Sequence, residues 1–200
     1  MILAFDTETT GLPDFKQPSD APHQPHLVQL AMVLLDDDLT ERASACLVVR
    51  PDGWTIPDDI AKIHGITTEI ASAIGVPEKV ATDLYVEMQY GTNVLALAHN
   101  VSFDLRIMRI AMLRHHYSKE WQEARPLKSY CTMTVATPIV NIPPTEKMVR
   151  AGFNKPKAPR LTECMKHFFN EDFTGAHDAM NDVRATLRLY KYLKDAAETA

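Results

Sequence analysis

The sequence of 200 residues is short of most features that would take it out of the ordinary globular class. Cysteine is scarce. Cys46, Cys131 and Cys164 lie far apart, form no metal-ligand pair, and are odd in number, which argues against a disulfide framework. No apolar run approaches membrane length, and the N-terminus lacks the basic segment of a secretory signal. A reducing, cytoplasmic compartment with no membrane partner is the expectation. No pair of the seven glycines has P-loop spacing, so a nucleoside triphosphate site of that type is unsupported. Net positive charge is lacking as well, since the formal net charge is -5. Proteins that handle nucleic acid ordinarily carry a basic footprint. The acidity therefore argues against tight, sequence-independent binding along a duplex. It does not exclude a nucleic-acid substrate, because divalent cations held by clustered carboxylates reverse the local charge.

What is present fits one domain with a full core: 46% hydrophobic and 24% charged residues. The chain opens on MILAFDTETTGL. Ile2 to Phe5 is an apolar run, and Gly11 breaks the segment, which is the pattern of a buried strand. Leu27 to Leu35 and Ala43 to Arg50 are two further runs around a short acidic turn, an antiparallel hairpin. Between the first two strands, Pro13 to His26 holds four prolines and reads as a long loop. The segment IAKIHGIT predicts a short helix ending at Gly65, with a new N-cap at Thr67 or Thr68. Val80, Leu84 and Met88 have helical spacing, with Gly91 as the stop. Val94 to Ala98 is an apolar strand covered on both faces, followed by a helix from Asn100 or Ser102 to about Leu113. Lys128 to Val135 reads as a strand, and Thr137 to Pro159, with five prolines, as a long loop. Leu161, Cys164, Met165, Phe168 and Phe169 mark one helix, and Val183, Leu187, Tyr190 and Leu193 the last. The pattern is α/β, a mixed sheet with helices on both faces.

Four acids stand out. In a strand through Glu8, Asp6 and Glu8 share a face because side chains alternate. Two carboxylates at the end of a buried strand need a counter-charge, and a divalent cation such as magnesium supplies one. Asp104 and Asp182 both lie near helix starts, where the dipole favours a carboxylate. Gathered at one end of the sheet, the four could hold two ions roughly 4 Å apart, the arrangement for in-line displacement at phosphorus. His177, five positions before Asp182, could reach over them from a loop and take a proton from water.

These residues carry a resemblance. FDTETTGL, AHNVSFD and HDAMNDV are similar to the three motifs of the DEDDh 3'-to-5' exonucleases, the group of the polymerase III proofreading subunit, ribonuclease T and oligoribonuclease. The resemblance runs from Met1 to about Tyr192 and includes HGIT at His64 to Thr67. It implies a ribonuclease H-like five-stranded sheet and one exonuclease domain over residues 1–200. It implies a two-metal hydrolase with Mg2+, or Mn2+ in its place. Asp6, Glu8 and Asp182 would hold the nucleophile-side ion, Asp6 and Asp104 the leaving-group ion, and His177 would be the general base. Thr9, Thr10, Gly11 and Leu12 would contact the 3'-terminal nucleotide, with His64 and Ile66 near its base, and Asn100 and Phe103 the strand behind it. Single-stranded DNA, or the 3' end of DNA, is the first expectation for substrate; RNA is the alternative, and the two differ at the 2'-OH. A catalytically silent binding module on the same fold is a further alternative, opposed by the intact acidic set. The proofreading subunit carries an additional C-terminal segment for its partner, so a free-standing exonuclease is expected here. A polymerase partner or a homodimer stays open.

Each residue also has a plainer role. Asp6 and Glu8 could be solvated acids at a strand end, and Asp182 and Asp178 surface helix acids. Asp104 could stabilise its helix by roughly 0.3–1 kcal/mol. Phe103 and Ile66 fit core packing as well as base contact. His99 reads as a satisfied core residue, and His23, His26, His115, His116 and His167 as ordinary histidines. Lys147, Arg150, Lys155, Lys157 and Arg160 cluster in the late loop and read either as solvated charges or as a phosphate-contacting flap.

Overall fold

The structure, a computed structural model, describes residues 1–89 and 93–198. Its centre is the first strand. β1 (Ile2–Thr9) pairs antiparallel with β2 (Leu27–Leu35) and parallel with β4 (Leu95–Ala98). β3 (Glu41–Val48) lies beyond β2 and β5 (Lys128–Cys131) beyond β4, in the order β3-β2-β1-β4-β5. This is the mixed five-stranded sheet expected from the sequence.

Alternation along β1 divides the core into two halves. Leu3 and Phe5 face α3 (Glu78–Glu87) and α4 (Val101–Arg114), packing in one cluster with Tyr85, Ile107 and Met108. Ile2 and Ala4 face α9 (Ala179–Glu198), in a cluster with Val183 and Tyr190. Each large side chain withdrawn from water in this way contributes on the order of 1.5–3 kcal/mol. Behind α9, α6 (Thr132–Val140) and α8 (Leu161–Phe169) add a layer around Ala136, Cys164 and Leu189. Beside β2, α1 (Asp58–His64) ends at Gly65, whose φ of 76° makes the left-handed turn. Thr67 then caps α2 (Thr68–Ile74) by accepting the Ile70 N–H. Two short helices, α5 (Lys119–Glu123) and α7 (Glu146–Arg150), complete the described elements.

Three expectations are corrected. The buried face of α3 is Ala81, Tyr85 and Val86, whereas Val80 is exposed. The stop expected at Gly91 lies outside the described residues. The strand read over Lys128 to Val135 ends at Cys131, and α6 begins at once. Its Thr-rich opening favours a strand locally, but Ala136 packs against α8 and α9, and tertiary burial overrides propensity. The loop read over Thr137 to Pro159 is therefore shorter. α6 runs on through Pro138, Thr145 caps α7, and Ile142 bridges to Lys157.

Candidate active site

The division of the core also places the acids. Asp6 and Glu8 continue the Ile2–Ala4 face, which α9 covers, so they emerge beside Asp182 in the first turn of α9. Thr7 points the other way, toward α4. Its N–H and hydroxyl both donate to Asp104 Oδ1, at 3.0 and 2.8 Å. Asp104, 2% exposed, is thus clamped to β1 from the opposite face and brought against Asp6 across the strand end.

The electrostatics follow from this crowding. Burial raises Asp6 well above the ordinary carboxylate range, and Asp104, Asp182, Glu8 and Asp178 raise it further. Burial and the same acidic neighbours push Glu8 up to about 8. Burial takes Asp104 to about 7 against the two Thr7 hydrogen bonds, and takes Asp182 to about 6 against the donor and charge of His177. Nothing cationic among the described residues offsets Asp6 or Glu8. Hard oxygen donors that repel one another in partial burial are the donor set for a divalent cation, and the residues fit one. Ligand atoms of Glu8, His177 and Asp182 lie within 4.8 Å of one another.

His177 is held with care. Its φ of 69° is uncommon for a residue with a side chain, and its N–H donates to Asp182 Oδ2 at 2.9 Å. The start of α9 just beyond it is tied down twice: Asp178 Oδ1 accepts the Asn181 N–H, and Gln29 Oε1 of β2 accepts the Ala179 N–H. The imidazole itself is exposed beside Glu8 and Asp182.

The remaining expected residues divide. Thr9 bonds through its hydroxyl to Gly11, and Thr10 accepts the His26 N–H, so both shape the turn after β1. Gly11 has φ +156° with open space where a Cβ would stand, and Leu12 is 87% exposed. His64 is buried next to Thr9 and His177; its Nδ1 accepts the Ile66 N–H, and its ring also interacts with the Thr9 backbone. Ile66 packs with Val28, Ile56, Ala61 and Ala71, on the core side of that turn. Asn100 adopts φ 78° ahead of α4 and accepts from Ser102, and Phe103 packs partly into the core. His99 is satisfied by Thr132 and the Pro159 carbonyl. In the basic cluster, Arg150 pairs with Glu146 and Lys157 with Glu163, which commits both locally.

Two positions escaped sequence reasoning. Thr7 hides between the two acids it separates, and Gln29 inside the run LVQLAMVLL is the one polar residue of a buried strand. A glutamine in such a strand is itself a signal, because a buried amide must find a partner.

Comparison with known proteins agrees with the geometry. The RNase_T family, described as Exonuclease, matches residues 3–190. A search among curated proteins returns no significant match. Escherichia coli Exonuclease I in complex with a dT13 oligonucleotide superposes with a TM-score of 0.74 at 22% identity, over 96% of this chain and 40% of that one. The zinc-bound form of its single-stranded DNA complex gives 0.73 and 22%, over 98% and 40%. A product-bound exonuclease I gives 0.72 and 21%, over 97% and 43%. The chain thus spans less than half the length of these structures, and the likeness is one of fold, the ribonuclease H-like exonuclease fold. No described helix is long and apolar enough to cross a membrane. With nearly the whole chain matched, this protein belongs to the RNase_T exonuclease family, a family of phosphodiester hydrolases whose chemistry implies divalent metal ions.

Proposed function

We propose that this protein is a 3'-to-5' exonuclease that releases 5'-mononucleotides from single-stranded DNA ends. The observation that carries the reading is the meeting of Asp6, Glu8, Asp104 and Asp182 at one strand end, with exposed His177 beside Glu8 and Asp182. Asp6, Glu8 and Asp182 would hold one cation on the side of the attacking water, and Asp6 with Asp104 a second on the leaving side. Mg2+ suits these oxygen donors, and Mn2+ replaces it. Bound there, such ions supply a more acidic water and neutralise charge building on the phosphate oxygens.

The chain's own residues supply the rest. Thr7 presents Asp104 in a fixed orientation before substrate arrives. His177 accepts the proton of the attacking water as its oxygen bonds to phosphorus, and the bond from phosphorus to the 3' oxygen of the penultimate nucleotide breaks, that oxygen taking a proton from solvent. Gly11 and Leu12 form an open floor for the terminal nucleotide, shaped by Thr9 and Thr10. The imidazole of His64, beside Thr9, offers a polar contact there, with Ile66 supporting it from the core. Asn100 and Phe103, at the start of α4, would contact the next nucleotide. Residues 1–200 are read as one exonuclease domain. The Exonuclease I structures hold dT13 and dA16, which supports single-stranded DNA as the substrate.

The test is a time course on 5'-labelled single-stranded DNA and the matching RNA with magnesium, alongside Asp182→Asn. A ladder shortening from the 3' end, lost in the variant and in chelator, is expected, with DNA the faster strand. Full activity in Asp182→Asn would remove the metal-site assignment, and faster decay of RNA would transfer the reading to the ribonuclease branch.

A further inference from the structure

A cleft of about 890 Å3 runs along the outer face of α4, away from the acidic site. Arg106, Arg109 and Arg125 line it, and among the described residues no carboxylate does. The chain has 26 acidic residues against 21 basic ones, so this local excess is not a matter of composition. Most arginines and lysines with a named partner elsewhere pair with acids, as Arg42, Arg150, Arg184 and Arg188 do. The three in the cleft make no ion pair among the described residues.

Their surroundings hold them in place for something else. Arg125 lies over the Trp121 ring at 4.2 Å and donates to the Trp121 carbonyl at 3.2 Å. Arg106 donates to the carbonyls of Asp14 and Gln17, and its buried Nε has no partner. It thereby ties the loop after β1 to α4. That loop carries Phe15, 60% exposed, whose ring faces the Arg106 guanidinium at 5.8 Å. Arg109 is exposed one turn further along α4.

The cleft adjoins the proposed site along the chain. Both of its walls begin there: the loop leaves Gly11 and Leu12 and reaches Phe15, and α4 leaves Asn100 and reaches Ser102, Arg106 and Arg109. From Ser102 to Met112 it follows ten helical rises, about 15 Å. Unpaired guanidiniums along a groove with an exposed aromatic ring recognise a single nucleic-acid strand, by phosphate pairing and base stacking.

We propose that this cleft is the track for the strand 5' of the reacting nucleotide, with Arg109, Arg125 and Arg106 on successive phosphates and Phe15 under a base. The proposal rests on the exonuclease reading and adds the path that the rest of the substrate takes. It accounts for a protein of net charge -5 that nonetheless holds a polyanion, since three arginines concentrate positive charge along one groove.

The test compares Arg109→Glu/Arg125→Glu with the wild type on two substrates. One is a 5'-labelled dT20. The other is the p-nitrophenyl ester of thymidine 5'-monophosphate, which fills the site and cannot reach the cleft. The expected result is a fall of about tenfold or more in kcat/KM on dT20, carried by KM, with the ester changed less than twofold. Fluorescence anisotropy of labelled dT20 in chelator should show the slope of log affinity against log salt become shallower by about 0.7 for each phosphate that is no longer neutralised. Unchanged dT20 kinetics would overturn the proposal and leave the cleft to a protein partner. An equal fall on both substrates would also overturn it, by placing the effect in the site. If the wild type cleaves neither substrate, the exonuclease reading fails, and the anisotropy alone decides: weaker binding in the variant supports the track, and equal binding overturns it.

Discussion

Asp6 faces four other carboxylates, with nothing cationic among the described residues to offset them. In the absence of metal, the folded chain must either keep protons on this cluster or bear the repulsion. An unfolded carboxylate titrates near pH 4. In the fold, Asp182, Asp104 and Glu8 titrate at about 6, 7 and 8. Between those limits the folded state binds more protons than the unfolded state, so stability falls as pH rises. In chelator, Tm is therefore expected to drop from pH 5 to pH 8 by about 5 °C or more, at roughly 2–4 °C per kcal/mol for a chain of this size. Magnesium should flatten the curve, and a Tm that rises with pH in chelator would contradict the raised carboxyls. Asp6→Asn removes the most crowded charge. It should abolish nuclease activity yet raise Tm in chelator at pH 8 by several degrees, and lose most of the stabilisation by metal. Thr7→Val tests the clamp on Asp104 without changing volume much. One hydroxyl bond of 2.8 Å goes and the backbone bond stays. The expected outcome is a loss of about 1 kcal/mol in stability and a 10–100-fold higher magnesium requirement, read from activity titrations.

The N-terminus of α9 carries both His177 and Asp182, so its anchoring is a functional matter. Gln29 reaches from β2 to accept the Ala179 N–H at 3.3 Å. Gln29→Leu leaves that buried donor alone, a cost of about 1–3 kcal/mol. Denaturant melts should show that loss, and kcat should fall more than KM changes, because the helix start would shift both groups at once. Replacement by Glu, which keeps an acceptor, should restore much of the stability. Elements of this kind differ in how legible they are in the sequence. β1, β2, α8 and α9 each carry one strong period or one unbroken run, and they lie where the pattern puts them. β5 and α6 do not. Thr132 to Val140 is rich in β-branched residues, and only the fit of Ala136 between α8 and α9 makes it a helix. That contact joins segments far apart in sequence, and no local window contains it. Asp6 and Glu8 were readable as a pair for the opposite reason: their geometry is set by the strand they share. That Asp104 and Asp182 join them depends on α4 and α9 covering opposite faces of β1, which the motif order suggests and only the sheet order β3-β2-β1-β4-β5 realises.

Across the whole molecule, charge is sorted rather than balanced. Four of the acids behind the net charge of -5 are gathered at the strand end, and three arginines line the α4 cleft. A net charge of -5 was legible at once, but its separation was not, because Arg106, Arg109 and Arg125 look like solvated helix charges until α5 and the Phe15 loop are folded beside α4. The separation has a kinetic consequence. If three arginines provide the phosphate contacts, counterion release at about 0.7 per contact gives a slope near -2 in log affinity against log salt. Raising salt fourfold, from about 50 to 200 mM, should then weaken capture of a 20-mer by roughly 20-fold. A protein with six to ten such contacts would lose about 300-fold to 10,000-fold. Below about 50 mM the gain should flatten, because the Debye length then exceeds roughly 10 Å and the approaching strand feels the acidic strand end as well as the groove. Measuring kcat/KM on labelled dT20 across sodium chloride at fixed magnesium checks this. A steep, unbroken rise toward low salt would mean that the basic residues act together along a long track, including Lys147 and Lys155 of the late loop. A shallow curve with a plateau would mean that a short groove holds two or three phosphates, which suits an enzyme that must release its strand and rebind it one nucleotide shorter.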